Sequence, residues 1–150
     1  MTSLKLQLHA HCLQYIEERM KAAQDAIHIA QQSANEETKS SAGDKYETGR
    51  AMAQLEIEKN STQLAESLKL KQTLEQIQPE RVTDIVRMGS LVITNYGNFY
   101  IAISASQLVI NGETYFIVSP ASPIGQKLMG LSREKAFSFN KKEYLVLQIG

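Results

Sequence analysis

From Leu4 to Ala34 the chain contains neither proline nor glycine, and its apolar positions recur at alternating steps of three and four. Leu6, Leu13, Ile16, Met20, Ala23, Ile27, Ala30 and Ala34 make up the series, which only His9 interrupts. A repeat of this kind marks a helix whose apolar seam faces another helix. The seam thins to alanine along its length, so two backbones can approach closely. A second helical stretch runs from about Asp44 to Gln78. Tyr46, Ala53, Ile57, Asn60, Leu64 and Leu68 share one face of it, and Leu70, Leu74 and Ile77 drift round that face. Pro79 ends it, because proline cannot continue the hydrogen-bond ladder. The two stretches have similar length and only a short polar break divides them. One intramolecular antiparallel coiled coil is expected, from residues 4–34 and 44–78, with its tip near residues 36–46. At about 1.5 Å per residue, a helix of some thirty residues gives an arm roughly 45 Å long.

Beyond Pro79 the period changes. "SLVITN", "NFYIAIS", "QLVI", "TYFIVS", "AFSFN" and "EYLVLQI" are short runs rich in β-branched and aromatic residues. Turn signals separate them at Asn95-Tyr96-Gly97-Asn98, Asn111-Gly112 and Asn140-Lys141-Lys142. Asn-Gly between two such runs is the strongest hairpin signal in the chain. In "SPASPIGQKLMG", Ser122 is placed to cap a short helix, Pro123 fits its first turn and Gly130 closes it. The expected class is α+β: a coiled-coil hairpin over residues 1–78, then a small antiparallel β domain with one short helix over residues 79–150. The boundary falls in 78–87.

Composition narrows the function classes. Apolar residues make up 43% of the 150, enough for a core, and no segment approaches the length of a membrane span. The first twenty residues have no continuous apolar run and resemble neither a signal peptide nor a basic presequence. A single cysteine, Cys12, excludes an internal disulfide framework and fits a reducing compartment, so a cytoplasmic location is expected. Acidic and basic residues balance at 16 each. Residues 1–78 carry 9 basic and 11 acidic side chains, and residues 79–150 carry 7 and 5. Neither part has the basic excess of a protein that binds nucleic acid by neutralising phosphates.

Familiar catalytic patterns are absent. "HAHC" at residues 9–12 invites a metal or nucleophile reading, but His9 and His11 stand two apart on a helix and point to opposite sides. Cys12 has no partner at a zinc-like spacing. There is no glycine-rich phosphate loop, Gly-x-Ser-x-Gly elbow or His-Glu-x-x-His sequence. Functional-looking polar groups gather instead at the tip, "KSSAGDKYETGR", residues 39–50. Ser41 and Asp44 fit a capping box, and acids in a first turn complement the helix dipole. Capping accounts for most of these residues but not for the length of the hairpin.

The whole chain resembles the bacterial Gre transcript-cleavage factors, which join an antiparallel coiled coil to a C-terminal domain related to FK506-binding proteins. "VRMGSLVIT" is similar to the family's Arg-x-Gly-Ser-x-Val strand. "TYFIVSPASPIGQKLMG" resembles its Tyr-x-Ile … Ser-Pro segment, and "FSFNKKEYLVLQI" its closing hairpin. Tyr46 and Arg50 resemble the end of the family's acidic tip and the basic residue after it. The likeness covers essentially residues 4–149, the arm by architecture more than by letters. With the tyrosines in register, Lys39 and Ala42 fall where the family has its two catalytic acids. The acid-x-x-acid spacing recurs about three residues later, as Asp44 and Glu47.

The resemblance implies an accessory factor, not an enzyme by itself, that binds RNA polymerase and inserts its coiled coil into the secondary channel. There it promotes cleavage of the transcript in backtracked complexes and touches the nascent RNA indirectly. Asp44 and Glu47, with Glu36 and Glu37 in reserve, would help hold the polymerase's Mg²⁺, and only within that complex. Mg²⁺ keeps several waters, so one or two carboxylates suffice. Tyr46, Arg50, Pro120, Pro123, Ile124, Gly125 and Met129 are the implied partner contacts, although core packing explains Ile124 and Leu128 better than binding does. No cofactor of its own, no membrane, no sequence-specific DNA contact and a monomer are expected. Two alternatives stay open: a secondary-channel modulator or inhibitor without cleavage stimulation, and a prolyl isomerase or chaperone of the FK506-binding type.

Overall fold

The computed structural model describes the backbone of residues 1–38 and 43–150 and the side chains of residues 1–36 and 47–150. Helix α1 spans Thr2–Thr38 and α2 spans Gly43–Gln76. Six strands follow: β1 Leu91–Thr94, β2 Gly97–Ile101, β3 Leu108–Ile110, β4 Glu113–Val118, β5 Ala136–Phe139 and β6 Lys142–Ile149. Helix α3, Pro123–Leu128, lies between β4 and β5. The chain is α+β. It divides into two units, Ile16–Lys71 and, from two separate pieces, Met1–Tyr15 with Gln72–Gly150.

In the Ile16–Lys71 unit both helices keep a strict heptad. Ile16, Ala23 and Ala30 are buried at seven-residue intervals, with Met20, Ile27 and Ala34 half-buried between them. On α2 the buried positions are Ala53, Asn60 and Ser67, with Ile57 and Leu64 half-buried. Glu17 meets Lys71 at 3.6 Å, and farther along Ala26, Ala30 and Ser33 share a groove with Gly49, Ala53 and Glu56. Rising numbers on one helix meet falling numbers on the other, so the pair is antiparallel. Leu68 was expected in the seam, yet it is 43% exposed and Ser67 is buried instead. A strict heptad through positions 53 and 60 reaches 67, and the side chain at 68 is carried round to solvent.

The first turns of α1 follow another face. Leu6 is 44% exposed rather than in the seam, while Lys5, Leu8 and Cys12 are fully buried. Steps of three and four from Lys5 through Leu8 and Cys12 arrive at Ile16, so a single stripe runs up the helix. This lower stripe packs with the sheet. Lys5 Nζ donates to the Arg81 carbonyl at 2.7 Å, His9 Nδ1 lies 3.2 Å from the Tyr100 hydroxyl, and His11 Nε2 lies 3.0 Å from the Ser106 carbonyl oxygen.

The strand order is β3-β4-β2-β1-β6-β5. The expected turns join β1 to β2, β3 to β4 and β5 to β6 as antiparallel neighbours, but β2 and β4 pair in parallel, Phe99 opposite Phe116 and Ile101 opposite Val118. The chain leaving β2 crosses to the sheet's edge, forms β3 there, and turns back so that β4 fills the place between them. That return turn is Asn111-Gly112, with φ of 52° and 81°. Asparagine tolerates such left-handed backbone and glycine adopts it freely, and two such residues together match the twist of the hairpin. Asn140 and Lys141, φ 51° and 62°, form the corresponding turn before β6.

One face of the sheet holds the core: Val86, Val92, Phe99, Ile101, Leu128, Tyr144 and Val146. Tyr144 stacks on Phe137 with centroids 5.0 Å apart and meets Phe99 edge-on at 6.3 Å. Burying each large apolar side chain contributes about 1.5–3 kcal/mol. Helix α3 is built as its sequence indicates, with Ser122 Oγ accepting from Gly125 N at 3.1 Å and Pro123 in the first turn.

Candidate functional site

The tip residues divide by what the structure describes. Helix α2 begins at Gly43, so position 44 lies in its first turn, and position 47 follows one turn on. The side chains of Glu37, Asp44 and Tyr46 lie outside the described residues. Glu36, near the end of α1, and Glu47 and Arg50, near the start of α2, are exposed. Glu47 and Arg50 line a shallow surface of α2 together with Ala51 and Gln54. Among the described residues no group of three or more His, Cys, Asp or Glu side chains could hold a metal ion.

The "HAHC" stretch is absorbed by packing. His9 and His11 bond to Tyr100 and Ser106 in separate places on the sheet part. Cys12 is buried, and burial pushes its thiol up to about 12, so it stays protonated at neutral pH and is a poor nucleophile. Burial likewise raises the Tyr100 phenol, the more so because it would share its surroundings with a charged Cys12. Burial lowers His9, which favours the neutral ring that can bond to an uncharged phenol. Lys5, for which the sequence offers no signal, is fully buried with its ammonium on the Arg81 carbonyl.

The segment after β4 separates into interior and surface. Ile124 packs against the core cluster, Leu128 is part of it, and Pro120 is half-buried. Gly125 is buried where a Cβ would strike the Ser119 carbonyl and the Ser122 hydroxyl, so its identity follows from close packing under α3. Within this segment, Pro123 and Met129 are the exposed members of the implied contact set. Among the described residues, no helix is long and apolar enough to cross a membrane. No protein-family model matches the chain, and no curated protein matches it.

Proposed function

We propose that this protein is a Gre-like factor that docks on RNA polymerase through its β-sheet part and presents the helical hairpin to the secondary channel, in the cytoplasm and as a monomer. The observation that carries this reading is the pair of antiparallel heptads within Ile16–Lys71, backed by the sequence likeness of residues 79–150 to that family. A hairpin of two helices, 37 and 34 residues long, with a seam of alanine, asparagine and serine is a slender element suited to reach rather than to enclose a substrate. Asp44 and Glu47, with Glu36 and Glu37 as reserve, supply carboxylates for the polymerase's own Mg²⁺, whose other ligands the polymerase provides.

The displaced acids favour a second reading, in which the factor occupies the same channel and modulates the polymerase without stimulating cleavage. Lys39 and Ala42 stand where the tyrosine register would place the family's acids. The prolyl-isomerase reading is weaker, because the aromatic rings around Tyr144 are stacked into the core.

A transcript-cleavage assay on backtracked complexes, run beside a polymerase pull-down, separates these readings. Wild-type protein is expected to bind and to shorten the transcript, and the double substitution Asp44→Ala, Glu47→Ala to bind but not cleave. Binding without cleavage by the wild type would select the modulator. Absence of binding would reject both.

A further inference from the structure

We propose that the connection between α2 and β1 forms a binding site for a phosphorylated small molecule, held by Arg81 and Arg87 in a cleft of about 220 Å³. The cleft is built almost entirely from residues 76–90. Its polar ends come from Gln76, Gln78, Arg81, Thr83, Arg87 and Ser90, and no carboxylate lines it. Arg81 and Arg87 are both exposed, and among the described residues neither forms an ion pair. Two arginines lining one small concavity favour an anion there. Behind them, the buried Lys5 places its ammonium on the Arg81 carbonyl and, among the described residues, has no carboxylate partner either. The cleft lining thus carries two arginines and no acid. Glu80 and Asp84, the acids nearest in sequence, are exposed and lie outside the cleft lining.

The wall of the cleft is set before any ligand arrives. Ser90 N donates to the Arg87 carbonyl at 2.9 Å, and Arg87 N donates to Ser90 Oγ at 3.0 Å, which closes a tight turn. Gly89 sits at that turn with φ 89° and donates to the Ile101 carbonyl at 2.7 Å. A Cβ at Gly89 would meet the Ile77 methyl at 2.8 Å, so glycine lets the end of α2 press against the turn. The Ser90 hydroxyl accepts from Arg87 N and keeps its own proton to donate, whereas the Thr83 hydroxyl proton is committed to the Ile85 carbonyl. Two planar forks and a hydroxyl donor suit a doubly charged tetrahedral oxyanion better than a single carboxylate. The concavity and the absence of a basic stripe in a chain of zero net charge favour a small ligand over a nucleic-acid backbone.

The proposal does not rest on polymerase docking, so its test needs only the full-length chain. Inorganic phosphate, pyrophosphate, a nucleoside diphosphate and a single-stranded oligonucleotide are titrated in turn, read by calorimetry and by amide NMR shifts. Pyrophosphate or the nucleoside diphosphate is expected to bind, with shifts centred on residues 76–90. Arg81→Gln and Arg87→Gln should each weaken it about tenfold, as loss of a charge-assisted bidentate pair implies. Both variants should keep the wild-type melting temperature, since neither arginine is buried. Binding of only the oligonucleotide, binding unchanged in the double variant, shifts confined to other residues, or no response to any probe would each overturn the proposal.

Discussion

His9 Nδ1 lies 3.2 Å from the hydroxyl of Tyr100 and so ties the first turns of α1 to β2 across 91 positions of sequence. Tyr100 is fully buried and His9 half-buried, and burial holds the imidazole below its ordinary value of 6.5. The unfolded chain therefore takes up this proton first as the pH falls. Stability is fully present above about pH 6.5 and declines from there through the lower folded value. Thermal melts from about pH 8 to about pH 5.5 should show this decline. His9→Gln should remove the histidine's share of the slope, and Tyr100→Phe should cost about 1 kcal/mol at neutral pH for the lost bond. An unchanged slope in His9→Gln would place the acid sensitivity elsewhere.

Gly125→Ala should be among the more damaging single substitutions. The added methyl meets backbone at Ser119 and the capping hydroxyl of Ser122, neither of which can yield without moving α3. A loss of about 2–4 kcal/mol is expected by chemical denaturation. Ser122→Ala removes only the cap and should cost about 1 kcal/mol. Equal effects of the two would mean that the turn relaxes around the new methyl.

The Ile16–Lys71 hairpin should melt before the sheet. Its buried seam positions include Ala23, Ala30, Ala53, Asn60 and Ser67, which bury far less apolar area than Val92, Ile101, Leu128 and Val146 do in the sheet core. Helical circular dichroism should fall in an early transition that leaves aromatic signals unchanged. Asn60 donates to the Glu56 carbonyl of its own helix at 2.8 Å. Asn60→Leu should raise the first transition by about 1 kcal/mol, with some loss of register specificity. Coincident melting of both signals would contradict this ordering.

At the tip, Glu36→Gln and Glu47→Gln should each leave the stability within about 0.5 kcal/mol of wild type, because both side chains are exposed. A larger loss would show that the carboxylates have a structural task.

Most of the architecture could be read from local chemistry. Asn111-Gly112 and Asn140-Lys141 mark their hairpins because few residues accept positive φ, and Ser122-Pro123 announces a helix through its cap. The choice between neighbouring positions was less legible. Leu6 and Leu68 are better hydrophobes than Lys5 and Ser67, yet the latter are buried. Composition ranks side chains by their cost in water, while the face turned inward is decided by the partner element, and a lysine can be buried where a carbonyl meets its ammonium. The parallel pairing of β2 with β4 was invisible for a similar reason, since a strand's pattern does not say which neighbour it will take. Arg87 was legible only as the first residue of the Arg-x-Gly-Ser-x-Val likeness and Arg81 carries no motif, so nothing in their spacing announced that both would line one cleft.

The sheet unit is discontinuous along the chain, with Met1–Tyr15 joined to Gln72–Gly150 only after residues 16–71 have been made. During synthesis the hairpin can form first from near-neighbour contacts, and its Glu17–Lys71 contact brings the two ends of that intervening stretch together. Closing an equally long flexible loop would cost several kcal/mol of chain entropy, of order (3/2)RT ln n plus a constant. The folded hairpin turns that closure into a local event. The emerging ribosomal chain then holds its first helix in waiting, with Lys5, Leu8 and Cys12 unburied until β1 and β2 arrive to cover them.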